Sequence, residues 1–253
     1  MSFDDLAIAY DNSIDWDARL KRELPYLLSL LPENGRVLDV ACGTGRHSLE
    51  IASSGHSVIG FDSSETMIQF AKGFALERGV PVEFLVADMM DITQVTKSEF
   101  DLIFCLGNSL ALLPSYEDLG HVLEVMPPLL GKKGHLVFQV LNFEEIIANG
   151  FRYFPMKGGK TLDGRQVIFS RFYEHHPLKN FSSLVATSFL KQDGCWFTDI
   201  STRKVLHLSE KLVRNLLSSA GFEDVEISSS YTGESFSPTL SRNMIVKACP
   251  RAE

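Results

Sequence analysis

The sequence has little cysteine and none of it is clustered: Cys42, Cys105, Cys195 and Cys249 lie far apart, with no Cys-x-x-Cys pair. That spacing excludes a disulfide framework and gives no zinc-ligand pattern, so no metal is assigned and the thiols are expected to be reduced. No apolar run approaches the length of a membrane span. The opening residues, Met1-Ser2-Phe3-Asp4-Asp5, are acidic where a secretory leader is basic. A cytoplasmic protein is therefore expected. Basic residues are also in the minority: 24 Lys and Arg against 32 Asp and Glu leave a net charge of -8. Such a surface repels polyphosphates, which argues against nucleic acid as a partner. It serves solubility and also suits a cationic or zwitterionic small molecule.

What is present is an ordinary globular composition, 45% hydrophobic over 253 residues, enough for one α/β domain carrying an insertion. Leu20, Leu24, Leu27, Leu28 and Leu31 repeat at helical spacing in Trp16 to Leu31, with Pro25 expected to kink or restart that helix. Arg36 to Val40 reads as a strand, followed by a Gly-rich turn and a helix over Arg46 to Ser54 that Gly55 closes. Ser57 to Phe61 is a second strand. A helix capped by Ser63 or Ser64 then runs to about Arg78, with Gly79 ending it. Further strands are expected at Val82 to Val86, Asp101 to Leu106 and His135 to Leu141, with a helix from about Tyr116 to Met126 stopped by Pro127-Pro128. This alternation predicts a Rossmann-like, doubly wound α/β sheet.

The pattern then changes. Gln166 to Glu174, Leu184 to Gln192 and Trp196 to Leu208 are three strand-like runs separated by short turns, read as an antiparallel β lid inserted over about residues 151–207. Ser209 to Ala220 has helical patterning, and strands at Val225 to Ser229 and Met244 to Ala248 complete a seven-stranded sheet whose last strand is antiparallel. Residues 1–150 and 208–253 would then form one domain.

The most informative stretch is Val37-Leu38-Asp39-Val40-Ala41-Cys42-Gly43-Thr44-Gly45-Arg46-His47. Glycines at a strand-to-helix turn let backbone approach a ligand in the crevice at the carboxyl ends of parallel strands. Asp62 follows 17 positions after Gly45 at the end of the second strand, where a carboxylate can accept both hydroxyls of a ribose. That pattern admits NAD as well as S-adenosylmethionine. A dinucleotide turn wants a third glycine three positions after Gly45, and Ser48 stands there. Asp39 points the same way, because a carboxylate suits the ammonium of a methionine moiety and repels a pyrophosphate.

With these motifs the sequence resembles the class I S-adenosylmethionine-dependent methyltransferases, and among them the glycine and sarcosine N-methyltransferases. The shared residues are Asp39 to Gly45, Asp62-Ser63 with Met67, and Cys105-Leu106-Gly107-Asn108-Ser109. The resemblance implies that Ala41, Gly43 and Gly45 line the methionine half of the cofactor and that Asp62 holds the ribose. By the same resemblance, Ser63 and Met67 border the nucleoside, Asp88 and the Met89 backbone meet the adenine, and Leu106 packs near the sulfonium. Arg19, with Trp16 and Tyr10 nearby, resembles the family's clamp on the cofactor carboxylate.

For the acceptor, Asn108 is expected to touch the substrate, and Arg165 and Arg171 on the lid are candidates to pair with it, with Tyr173, His175 and His176 bordering the pocket. Glycine-methylating relatives carry a His four positions after this Asn; here that position is Leu112. An amine acceptor needs no strong base, whereas an oxygen acceptor does, so methylation of a small-molecule amine is the leading expectation. An O-methyltransferase and a non-catalytic S-adenosylmethionine-binding protein remain open at this stage.

Overall fold

Val37 to Val40 are buried from the first residue of the run to its last, and they form the centre of a seven-stranded sheet. The computed structural model describes residues 10–161 and 163–252. In it β1 (Arg36–Val40) pairs in parallel with β2 (Ser57–Asp62) on one side and β4 (Phe100–Cys105) on the other. β3 (Glu83–Val86) and β5 (Leu130–Leu141) extend the sheet in parallel. β11 (Asn243–Pro250) runs antiparallel between β5 and β10 (Phe222–Ser228), giving the order β10-β11-β5-β4-β1-β2-β3.

Strand alternation sorts the core onto two faces. Leu38 and Val40 join Phe61, Ile103 and Phe138 on one face, under α4 (Tyr116–Glu124) and α6 (Glu210–Ser219). Val37 joins Val58, Leu102, Phe104 and Val137 on the other, against Leu27 of α1 (Trp16–Ser29) and Ile51 of α2 (Arg46–Ser53). Asp39 belongs by alternation to this second face. A carboxylate is thereby set at the rim of an apolar layer, at the carboxyl end of β1. The chain leaves β1 toward β2 but reaches β4 on β1's other side, so the sheet order reverses there and opens a crevice.

The helices begin and end where their residues dictate. Ser64 accepts from the Met67 N–H to start α3 (Glu65–Arg78), and Gly79, at φ 63°, ends it. Ser209 caps α6 in the same way. Pro25 does not restart α1, which runs through it and forgoes only the one hydrogen bond that proline cannot donate.

A second sheet of four antiparallel strands has the order β6-β7-β8-β9. β7 (Gln166–His176), β8 (Phe181–Gln192) and β9 (Cys195–Leu206) are the expected meander, paired without a register shift. Two further elements flank or extend this region beyond the sequence pattern. β6 (Lys157–Lys160) carries two glycines and no apolar residue, and α5 (Phe143–Ala148) is only six residues long, held by the Asn142 side chain accepting from the Glu144 N–H.

A candidate cofactor and acceptor site

The turn after β1 is shaped by backbone that only small residues adopt easily. Ala41, Gly43 and Gly45 all have positive φ, at 58°, 56° and 72°. Beyond Gly43 no heavy atom lies within 4 Å of where a Cβ would stand, so the turn leaves an open cradle. Gly45 has a different reason. A Cβ there would sit 3.1 Å from the Ala71 Cβ and closer still to the Phe84 ring, so this glycine serves packing between α2 and β3 and is not part of the cavity wall.

The cavity beside the turn has a volume of about 560 Å³. Of the residues expected at the cofactor, Tyr10, Trp16, Arg19, Asp39, Ala41, Gly43, Asp62, Ser63, Met67, Asp88, Met89 and Leu106 all line it. Asp62 is fixed by two backbone donors, Gly43 N–H on one oxygen at 2.9 Å and Ser64 N–H on the other at 2.9 Å. Its remaining lone pairs are available to hydroxyls. One Asp88 oxygen accepts from the Met90 N–H at 2.9 Å.

Asp39 is 3% exposed and accepts from Ser48 Oγ at 2.6 Å. Burial, reinforced by the nearby Asp62 charge, pushes its carboxyl up to about 7 against the pull of Ser48 and Arg19. The residue standing where a dinucleotide site has its third glycine thus serves to hold Asp39. Arg19, which also lines the cavity, is oriented by Glu23, whose carboxylate takes the Arg19 Nε at 3.1 Å, Arg22 Nη2 at 2.7 Å and His47 Nε2 at 2.9 Å. Burial raises the Glu23 carboxyl, but His47 and Arg19 outweigh it and hold the group at about 2. His47 is itself pushed down by burial, against the pull of Glu23. Arg19 Nη2 reaches to 3.5 Å from the Cβ position of Gly107, on the loop after β4.

Asp11, absent from the expected set, also lines the cavity. It is 2% exposed and accepts from Thr44 Oγ1 at 2.5 Å, Arg46 Nη2 at 2.7 Å and Trp16 Nε1 at 3.1 Å. These bonds fasten the segment before α1 across the glycine turn.

The acceptor-side expectations fare differently. Asn108 does not line the cavity. Its Oδ1 accepts from the Leu141 N–H at 2.8 Å, its own N–H donates to the Gln139 carbonyl at 3.1 Å, and its φ is 68°. It is a turn residue clamping the β4 loop to β5. Arg165 pairs with Asp163 at 2.7 Å, away from the cavity. Arg171 also lies outside the lining, donating to the Tyr10 hydroxyl at 3.2 Å and stacking on Phe154. His175 is held between Ser182 Oγ at 2.7 Å and the Phe151 carbonyl at 2.8 Å, and His176 meets Ser183 Oγ at 3.1 Å. Tyr173 is buried against Phe143 and Phe154. The cation of the second sheet that does line the cavity is Arg203 of β9, and Ser109, Leu112 and Pro114 line it too. Its place follows from the β8–β9 register, which sets Arg203 opposite Leu184, a pairing that strand patterning alone does not supply.

Residues 37–134 match a family described as a methyltransferase domain. The chain is 32% identical over 145 residues to the glycine/sarcosine N-methyltransferase of Aphanothece halophytica, covering 56% of this chain and 55% of that one. It thus spans about half the length of that relative. The corresponding enzyme of Parasynechococcus marenigrum (strain WH8102) is 29% identical over 224 residues, covering 88% of this chain and 76% of that one. The CcbJ methyltransferase structure from Streptomyces caelestis superposes with a TM-score of 0.77 at 20% identity, covering 98% of this chain and 97% of that one, which speaks to the fold. The seven-stranded order with an antiparallel β11, the glycine turn after β1 and the domain matched over residues 37–134 are features this chain shares with S-adenosylmethionine-dependent methyltransferases.

Proposed function

We propose that this protein transfers a methyl group from S-adenosylmethionine to the nitrogen of a small amine. The observation that carries this reading is the cavity's opposed charges. Asp39 and Arg19 share one end of it and act on each other electrostatically, and Asp62 stands at the next strand end. An α-amino acid group needs a carboxylate and a guanidinium together, and a ribose needs a fixed acceptor. The residues fit that group. Asp39 would take its ammonium, Arg19 its carboxylate, Asp62 its ribose hydroxyls, and Asp88 with the Met89 N–H its adenine.

When bound, S-adenosylmethionine supplies a methyl group already activated on a positively charged sulfur. What remains for the chain is placement and the exclusion of water. Holding reactants in attack geometry contributes roughly 7–11 kcal/mol in well-oriented systems. Leu106, Leu112 and Pro114 give the cavity apolar wall, and Arg203 brings the second sheet to its lining. We take residues 151–207 as a lid over the acceptor and the remainder as the cofactor domain.

The amine reading over an oxygen acceptor rests on the histidines near the site being engaged elsewhere. His47, the histidine lining the cavity among the described residues, is tied to Glu23, and the lid histidines His175 and His176 point elsewhere. Two relatives that match the chain are named for glycine and sarcosine N-methylation, which supports a small amine.

The test is production of S-adenosylhomocysteine by the purified protein with S-adenosylmethionine and a panel of amines, amino acids, amino sugars and phenols. Turnover with at least one amine is expected. Turnover confined to phenols would replace this reading with O-methylation, and cofactor binding without turnover on any acceptor would overturn it.

A further inference from the structure

The two edges of the second sheet are built differently. β6 is four residues long, bracketed by Lys157 and Lys160, and the segment before α1 lies against it, with Lys157 Nζ on the Ser13 carbonyl at 3.3 Å. Short, charged and partly covered edges resist pairing with other chains. β9 is three times as long, and its cover is confined to its C-terminal end, where Lys204 Nζ donates to the Pro114 carbonyl at 2.7 Å. It runs for 12 residues without proline and pairs with β8 without a bulge. Every residue from Cys195 to Lys204 is exposed, including Trp196 at 46%, Phe197 at 50% and Ile200 at 65%. A long, regular, exposed strand edge carrying large apolar side chains is a template for another strand.

The charges on β9 indicate which strand that is. Asp199 and Arg203 make no side-chain hydrogen bond or ion pair among the described residues. They share a strand face but stand four residues apart, roughly 13 Å at strand rise, too far to meet each other. In an antiparallel pair of two β9 strands centred on Ser201, Asp199 falls directly opposite position 203 and Ile200 opposite position 202. The same register therefore forms two ion pairs by symmetry.

We propose that two copies of this chain associate through β9, residues 198–204 pairing antiparallel about Ser201, with Asp199 of each facing Arg203 of the partner subunit. The two four-stranded sheets become one of eight strands, and the exposed edge disappears. Arg203 lines the acceptor cavity, so the pairing also brings Asp199 of the partner subunit to the rim of each site. The inference concerns assembly and stands apart from the choice of acceptor.

The test is sedimentation velocity on the full chain and a charge swap. Wild type is expected to be a dimer. Asp199→Arg and Arg203→Asp, each setting like charges opposite one another, are expected to weaken self-association by at least about tenfold. The double variant Asp199→Arg/Arg203→Asp is expected to recover it. Rescue can only be intermolecular, because the two positions do not touch within one chain. Thermal melts and S-adenosylhomocysteine binding by Asp199→Arg confirm that loss of association is not loss of fold. A monomeric wild type, a dimer unaffected by the single reversals, or a double variant that stays monomeric would each overturn the proposal.

Discussion

Ser48 donates its hydroxyl to a buried Asp39 oxygen at 2.6 Å, joining the first turn of α2 to the end of β1 beneath the cavity. Ser48 is itself fully buried. The pair sets how much it costs to keep a carboxylate ionised there.

That pair makes cofactor affinity depend on pH. Asp39, pushed up to about 7 mainly by burial, is partly protonated near neutrality. An ammonium ligand wants it ionised, so affinity for S-adenosylhomocysteine is expected to fall as pH drops through about 7. Ser48→Ala removes the bond that favours the charged form, and is expected to move that midpoint upward. The stability sign is opposite. A carboxyl held above its unfolded value binds its proton more tightly in the folded state, so the contribution is fully present below the unfolded value and is lost as pH rises through about 7. Asp39→Asn is therefore expected to raise the melting temperature of the ligand-free protein at pH 8 while weakening cofactor binding. Calorimetric titration and thermal melts across pH check both. A flat affinity profile between pH 6 and 8 would remove Asp39 from the ammonium site.

Asp62 has two duties, and its replacement should show both. Asp62→Ala deletes the acceptor for the Gly43 and Ser64 N–H groups and the carboxylate meant for the ribose. The expected outcome is at least tenfold weaker cofactor binding together with a measurable loss of stability, since unsatisfied donors cost ~1–3 kcal/mol each when buried. Unchanged affinity in calorimetry would refute the ribose assignment.

Asn108→Ala is expected to act on folding before catalysis. It removes the acceptor for the Leu141 N–H and puts alanine at a φ of 68°. A loss of ~1–3 kcal/mol in denaturant unfolding follows from the stranded donor and the strained backbone. Asn108→Gly should recover the backbone part and not the hydrogen bond. A fully stable Asn108→Ala with reduced turnover would return this residue to the acceptor site.

How far the site was legible in the sequence depends on how local each signal is. The glycine turn, Asp62 and Asp88-Met89 lie at strand ends, where sequence position and place in the crevice are tied together, and all but Gly45 line the cavity. Asn108 looked the same from sequence whether its amide met a substrate or a neighbouring strand, because a left-handed turn favours Asn in either case. Arg203 could not be preferred to Arg165 or Arg171 without the register of β8 on β9. Asp11 acts on Thr44, 33 residues away, and no periodicity announces such a contact. β6 and α5 are not legible in the sequence because a Gly-Gly strand and a six-residue helix carry too little pattern.

Arg203 separates the two readings of the lid. Of Arg165, Arg171 and Arg203, only Arg203 lines the cavity, whereas Arg165 is paired with Asp163 and Arg171 is engaged with Tyr10 and Phe154. Arg203→Ala is expected to lower kcat/KM for the acceptor at least tenfold with cofactor affinity within about twofold, because the lost contact is made at the acceptor end alone. Arg165→Ala should leave both quantities near wild type. Arg171→Ala should weaken cofactor binding modestly, through Tyr10, which lines the cavity beside Asp11. Steady-state kinetics with the best acceptor of the panel, paired with calorimetry, distinguishes the three. If Arg165→Ala depresses turnover and Arg203→Ala does not, the lid must close over the cavity in an arrangement different from this one, with β7 in place of β9 at the acceptor.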